Sequence, residues 1–254
     1  MALNLETMFF CHGAPGSPQD ANLLRTVGND TQIIAPNMFD LGSGDVVEQM
    51  IDAFDRSTSN NDDKPVHVVG FSVGAMVAIK VAAARPDRIG KLTLISAAAP
   101  LQLGDFLLDM AGKPVFDLAK DRPRILRLLT SAQSILSTVA PNLLMNQLFG
   151  KCGKMEHALL ADLKFRQIIK QGFANSFRQN PNAYISLLQS YVADWSADIP
   201  RVSCPVEIWH GTEDTWSPPA MAHALVDVFS GKAHLNAVPK AEHYSTLAMA
   251  SLEE

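Results

Sequence analysis

The sequence has few cysteines, no block of basic residues and no long uninterrupted apolar run. Its three cysteines, Cys11, Cys152 and Cys204, are odd in number and unevenly spaced, which argues against a disulfide framework and against paired CxxC zinc ligands. The 21 basic and 26 acidic residues are scattered and give a net charge of −5, so no nucleic-acid partner is expected. Apolar stretches such as AMVAIKVAAA meet a charge well before membrane-spanning length. These absences predict a soluble protein of a reducing compartment, the cytoplasm.

Signals for secretion, metals and phosphates are also missing. The start MALNLETMFF has no basic n-region and no small-residue cleavage site, so it is not interpreted as a secretory signal. Histidines and acidic residues do not cluster at ligand spacing, and the pattern GxxxxGK[ST] does not occur. No metal and no cofactor are therefore predicted. A chain of 254 residues can bury a large core, so one domain, with or without an insertion, is expected.

Short apolar runs alternate with helical patterns, a rhythm typical of βαβ units around a parallel sheet. Six runs are predicted as strands: TMFFC, TQIIAP, PVHVVG, KLTLISA, CPVEIWHG and AHLNAVP. Between residues 101 and 200 this rhythm gives way to amphipathic helical stretches, including RPRILRLLTSAQSIL and EHALLADLKFRQIIKQGF. The predicted organisation is an α/β core of residues 1–100 and 201–254, with a mostly parallel sheet of about six strands flanked by helices. Residues 101–200 are predicted to form a helical cap over one end of this sheet.

The pattern G-x-S-x-G stands at Gly70, Ser72 and Gly74, directly between a predicted strand and a predicted helix. A serine held at the tip of so tight a turn adopts a strained backbone, and the glycines let strand and helix approach each other. Its hydroxyl would then lie at the carboxyl edge of the sheet, where open α/β sheets bind their ligands. A helix N-cap would explain the serine but neither glycine. Ser72 is therefore a candidate nucleophile.

A serine nucleophile needs a base and an acid that orients the base. His243, in PKAEHYS, follows the last predicted strand and is the candidate base, whereas His67 is interpreted as a core residue within a strand. The acid is expected in WHGTED, after the strand PVEIW, where either Asp214 or Glu213 could serve. The order serine, acid, histidine along the chain suits a hydrolase on a parallel sheet.

An oxyanion intermediate needs donors fixed in advance, commonly two backbone N–H groups. The amide of Val73, directly after the candidate nucleophile, is one candidate. The turn HGAPGSP, which follows the first strand, brings the backbone near Ala14 close enough to supply the other. Within this turn His12 is expected to shape the loop beside Gly13 rather than to act as a base. An ordinary strand-to-helix turn would have a similar composition.

With HGAPG, GFSVGAMVAIKVAAARPDRIGKLTLISAAAP, HGTED and AEH in this order, the chain resembles the α/β-hydrolase superfamily over nearly all of residues 5–250. The resemblance implies a Ser72 nucleophile, a His243 base, and Asp214 as the acid because it is the D of H-G-x-x-D. It also implies an oxyanion hole at Ala14 and Val73, and a cap between the sixth and seventh strands of the family. In this family an antiparallel hairpin usually precedes the strand that corresponds to TMFFC, and this hairpin is not expected here. Phe71 stands where many members have histidine. Serine at position 72 disfavours the aspartate-nucleophile branches.

The predicted function is hydrolysis of a carboxylic ester or related acyl bond of a small, partly apolar molecule, by a carboxylesterase-like enzyme. Two alternatives are kept. The same residues could catalyse C–C bond hydrolysis, thioester or amide hydrolysis, or a lyase reaction. The chain could also be a small-molecule binding protein that retains the pocket without turnover.

Overall fold

The computed structural model describes residues 6–24, 31–42, 44–59 and 64–252. Within these ranges one six-stranded sheet has the order β2-β1-β3-β4-β5-β6, and every pairing of neighbouring strands is parallel. The strands are β1 (Glu6–Cys11), β2 (Thr31–Ile34), β3 (Val66–Phe71), β4 (Ile89–Ile95), β5 (Val206–Gly211) and β6 (Ala233–Val238). All six predicted strands are therefore found, and the predicted sheet is confirmed. Residues 1–5 of the predicted core lie outside the described residues.

The first two long helices follow from their residue patterns. Helix α1 (Val46–Ser57) begins at the N-cap Asp45, whose carboxylate accepts two backbone N–H groups, and it buries a stripe that includes Phe54 against Phe9 of β1. Helix α2 (Gly74–Ala84) is buried almost all round, because it crosses the centre of the sheet. Its one charged residue, Lys80, forms an ion pair of 2.6 Å with Asp198. A charge within an apolar helix is thereby paired.

The segment between β4 and β5 is helical, as predicted for the cap. Its α-helices are α3 (Lys113–Asp121), α4 (Pro123–Val139), α5 (Pro141–Phe149), α6 (Lys154–Leu160), α7 (Leu163–Phe173) and α8 (Pro181–Val192), and Ala174–Gln179 forms a turn of π-helix. Helices α4, α5 and α8 each start with proline, which fits the first helical position. The run EHALLADLKFRQIIKQGF forms two helices rather than one, because Asp162 caps a new helix at its centre. The division into core and cap at residues 101–200 stays a prediction.

The carboxyl ends of the strands meet at one edge of the sheet. Cys11 of β1 lies opposite Gly70 of β3, and Gly211 of β5 lies opposite Val238 of β6. Helix α9 (Pro219–Val228) connects β5 to β6, and helix α10 (His243–Met249) follows β6. The three candidate catalytic residues all come after strands at this edge. No helix within the described ranges is long and apolar enough to cross a membrane.

Candidate active site

Ser72 lies in a sharp turn between β3 and α2. Its φ of 58° is in the left-handed region, which is unfavourable for a residue with a side chain. Hydrogen bonds to β4 and to the loop after it hold this conformation: the Ser72 N–H donates to the Ile95 carbonyl, and the Ser72 carbonyl accepts from Ala98 N–H at 3.1 Å. These hydrogen bonds to the neighbouring strand and its loop stabilise the strained conformation of the turn.

The two glycines of the motif are required by close packing. A Cβ atom at Gly70 would lie 2.7 Å from the Cβ of Ala78 in α2. At Gly74 it would collide with the backbone carbonyl oxygens of Cys11 and His12, at the end of β1. Glycine therefore lets the helix approach β3 and also lets the loop after β1 pass directly over the serine turn.

Asp214 and His243 form a buried hydrogen-bonded pair. The His243 Nδ1 atom is 2.8 Å from Asp214 Oδ2, and both side chains are buried. The other oxygen, Asp214 Oδ1, accepts the backbone N–H groups of Trp216 at 2.8 Å and Ser217 at 2.9 Å. Because both oxygens of the carboxylate have donors, His243 is held with its proton on Nδ1 and with Nε2 free to accept one. Glu213, the alternative acid, is exposed.

The electrostatics of the pair favour an ionised aspartate. Burial alone raises the pKa of Asp214, but the charge of His243 and its hydrogen bond outweigh this effect and hold the pKa below its usual value. A second histidine, His210, lies 3.9 Å from Asp214 Oδ2. Burial lowers the pKa of His210, and its Nε2 atom is bonded to the Ser217 carbonyl at 2.8 Å. His210 is therefore a neutral structural histidine rather than a competing base.

The His243 ring packs against aromatic side chains, one of which is the residue before Ser72. Trp216 stacks on the imidazole with ring centroids 5.1 Å apart, and Phe71, the residue before Ser72, lies 4.9 Å from it. The hydroxyl of Ser96, at the end of β4, donates to the His243 carbonyl at 2.8 Å. Phe71 thus forms part of the wall around the imidazole.

The loop after β1 is fixed from both of its ends. The His12 Nε2 atom accepts the Met38 N–H at 3.1 Å, so Nδ1 carries the proton and donates to the Gly13 carbonyl at 2.8 Å. Burial lowers the pKa of His12 to about 4 and keeps it neutral, which supports the expectation that it shapes the loop. Further along, the cap residues Asn175 and Ser176 bind the carbonyl and the N–H of Gly16, at 2.9 and 3.1 Å.

A cavity of about 270 Å³ lies between the sheet edge and the helices that connect β4 to β5. Ser72, Val73, Ala14 and Ala98 line it on the side of the sheet. Most of the lining residues contributed by the segment between β4 and β5 are apolar, including Met110, Val115, Phe116, Leu148, Phe177 and Leu188. The residues predicted for the nucleophile and the oxyanion hole therefore share one cavity with an apolar wall.

Sequence reasoning missed several residues that support this arrangement. Trp216 and Ser217 belong to the stretch D-T-W-S, and an aspartate followed by such a turn is a recognisable Asx pattern. Ser96 carries no local signal, although its φ of 46° marks a second strained turn. Within the described ranges no group of three or more histidine, cysteine or acidic residues is arranged to hold a metal ion.

Comparison with known proteins agrees with this fold. A sequence model of the alpha/beta hydrolase family matches residues 8–252, and the chain belongs to this family. The folds of solved structures are similar. A thermophilic esterase from Thermogutta terrifontis has a TM-score of 0.66 at 17% identity, over 96% of this chain and 84% of that chain.

Two further structures illustrate the breadth of the fold. MenH from S. aureus has a TM-score of 0.64 at 16% identity, over 96% of this chain and 88% of that chain. A bromoperoxidase from Bacillus anthracis has a TM-score of 0.63 at 16% identity, over 94% of this chain and 85% of that chain. Identities this low show a common fold alone. The search of curated proteins finds no significant match.

Proposed function

We propose that this chain is a serine hydrolase that cleaves a carboxylic ester or a related acyl bond through an acyl-enzyme on Ser72. The observation that carries the proposal is the buried 2.8 Å hydrogen bond between Asp214 and His243. The imidazole of His243 packs against the ring of Phe71, the residue before the strained Ser72. A free serine hydroxyl is a weak nucleophile at neutral pH, and the pair of Asp214 and His243 is the chemistry that activates one.

In the proposed reaction His243 Nε2 takes the proton of the Ser72 hydroxyl as its oxygen attacks the carbonyl carbon. The N–H groups of Val73 and Ala14 stabilise the oxyanion, and each such donor is worth about 3 kcal/mol of barrier. His243 then gives its proton to the leaving alcohol. Water, activated by the same imidazole, hydrolyses the acyl-enzyme and regenerates the hydroxyl of Ser72. Asp214 stays ionised throughout and stabilises the imidazolium.

The cavity supports a small, partly apolar substrate. Its volume of about 270 Å³ and its wall of Val115, Phe116 and Leu188 suit a short or medium acyl or alcohol group. The lining also includes one charged residue, Lys151, and two glutamines, Gln133 and Gln147. Because of the apolar wall, esters with an uncharged chain are the first substrates to test.

The test is Ser72→Ala, assayed with p-nitrophenyl acetate and butyrate. The substitution should lower kcat by more than about 10⁴-fold, because no other group replaces the nucleophile, and should abolish labelling by a fluorophosphonate probe. Ser203→Ala, at an exposed serine, is the matched control and should leave both unchanged. Turnover by Ser72→Ala at the rate of the control would overturn the proposal.

Assays with other classes of substrate separate the alternative reactions on this site. Parallel assays with thioester, amide and diketone substrates would show whether a bond other than an ester is cleaved faster. A folded wild-type protein that neither reacts with the probe nor hydrolyses any of these compounds would instead support the binding-protein alternative.

A further inference from the structure

Two buried glutamates connect the cap to the start of the helix that carries His243. Glu156 belongs to the cap helix α6, and Glu242 immediately precedes α10. Both side chains are buried. Buried carboxylates are costly unless donors surround them, so the partners of these two residues indicate what they do.

Each carboxylate binds the N-terminus of the other residue's helix. Glu156 Oε1 accepts the backbone N–H of Tyr244 at 2.6 Å and of Ser245 at 3.1 Å, in the first turn of α10. In return, Glu242 Oε1 accepts the N–H of Gly153 at 2.5 Å, and Oε2 accepts the N–H of Glu156 at 3.3 Å. Two backbone N–H groups at each helix start are thereby bound by carboxyl oxygens, while Glu156 Oε2 is buried without a hydrogen-bond partner among the described residues.

This exchange reaches the candidate base directly. His243 is the first residue of α10, and the amides bound by Glu156 are those of the next two residues. On the core side, Ser96 binds the His243 carbonyl. The main chain of His243 is therefore held by the core through Ser96 and by the cap through Glu156.

We propose that Glu156 is a positioning residue: its carboxylate holds the first turn of α10 from the cap and thereby keeps the His243 imidazole in register with Asp214. The inference rests on the proposed function, since it assigns Glu156 a role through His243. Glu156 does not line the cavity, so its effect falls on the chemical step rather than on substrate binding.

Glu156 is itself only partly ionised near neutral pH. Burial raises the pKa of Glu156 to about 7, as does the charge of Glu242, against the two amide donors and the His243 charge, which lower it. Its role as an acceptor therefore rests on a carboxyl oxygen that both the ionised and the neutral form retain.

The variants Glu156→Ala and Glu156→Gln separate position from charge. Alanine removes the acceptor, and because a displacement of about 1 Å can cost about 100-fold, we expect kcat for p-nitrophenyl butyrate to fall at least about tenfold with KM within about twofold. Glutamine keeps one oxygen for the two amides and should restore most of kcat.

Glu48→Gln, at an exposed glutamate in the first turn of α1, is the control and should leave kcat and KM unchanged. Fluorophosphonate titration counts active sites, so a loss of folded protein is separated from a loss of rate. The inference is overturned if the alanine variant, per active site, matches the control in kcat. It is also overturned if glutamine lowers kcat as far as alanine does.

A measurement independent of turnover distinguishes this inference from the proposed function. The proton on His243 Nδ1, which lies in the hydrogen bond to Asp214 Oδ2, can be followed by NMR, and its resonance should broaden or vanish in Glu156→Ala but persist in Glu156→Gln. If wild type hydrolyses nothing but this loss is seen, the positioning role stands and the hydrolase proposal fails. If wild type is active and the resonance persists in both variants, the proposed function stands and the positioning role is wrong.

Discussion

Replacing Asp214 by asparagine tests the acid–histidine pair most directly, because the structure fixes the orientation of the new amide. Asp214 Oδ1 accepts two backbone N–H groups, whereas Oδ2 accepts one hydrogen from His243. In the variant the amide oxygen should occupy the Oδ1 position, since the reverse orientation would place the NH₂ group against two donors. The NH₂ group then faces His243 Nδ1.

Two donors cannot face each other, so His243 must move its proton to Nε2, the atom that should accept the Ser72 proton. The base is then in the wrong tautomer. The corresponding change in a well-studied serine protease lowers kcat about 10⁴-fold, which is about 5 kcal/mol of activation free energy. Because the two amide hydrogen bonds of the side chain are kept, Asp214→Asn should still fold.

The assay is steady-state hydrolysis of p-nitrophenyl butyrate, with circular dichroism and thermal unfolding as checks on the fold. Glu213→Gln removes the exposed neighbouring carboxylate and is the matched comparison, with activity expected within about twofold of wild type because exposed charges contribute little. A folded Asp214→Asn enzyme that loses less than tenfold in kcat, or a Glu213→Gln variant that loses more, would refute the assignment of the acid.

Three further predictions follow from the packing. Gly74→Ala should abolish activity and lower the melting temperature, because its Cβ would collide with the carbonyls of Cys11 and His12; retention of both in hydrolysis and thermal-melt assays would contradict this. Burial lowers the pKa of His67 to about 3. Below pH 6.5 this histidine is therefore protonated in the unfolded chain but still neutral in the folded protein, which lowers the free energy of unfolding. The stability deficit of His67→Gln relative to wild type, measured with urea, should therefore shrink by about 2 to 3 kcal/mol between pH 7 and 4.5, and a constant deficit would oppose it. Val115→Phe narrows the cavity and should lower kcat/KM for p-nitrophenyl octanoate more than for acetate, whereas equal losses would exclude Val115 from the acyl pocket.

The strands and the serine turn are predictable from the sequence because their signals are local. The run PVHVV predicts a buried strand, and the glycines around Ser72 follow from contacts within a few residues, apart from the carbonyls of Cys11 and His12. The choice between Asp214 and Glu213 is different. The two are adjacent, and residues alone leave both open, whereas the turn that binds Asp214 Oδ1 turns this side chain inward.

The cap is the part that local signals define least. Asp162 breaks one predicted helix into two, because a side-chain cap competes with helix continuation at that point. Contacts across 159 and 88 residues are beyond any periodic pattern. Nothing in the sequence around Asn175 indicates that it binds Gly16, and nothing around Glu156 indicates that it binds the N–H groups directly after His243.

These long-range contacts have a consequence for how the site is held. The cap binds the loop of Ala14 through Asn175 and Ser176, and it binds the start of α10 through Glu156. The loop of the proposed oxyanion donor and the helix of the proposed base are thus both hydrogen-bonded to helices outside the sheet. The Ser72 turn, in contrast, is hydrogen-bonded to β4. A movement of the cap would therefore alter the base and the oxyanion loop together and leave the nucleophile in place. It follows that substitutions which loosen the cap should lower the rate of acylation before they lower the stability of the sheet.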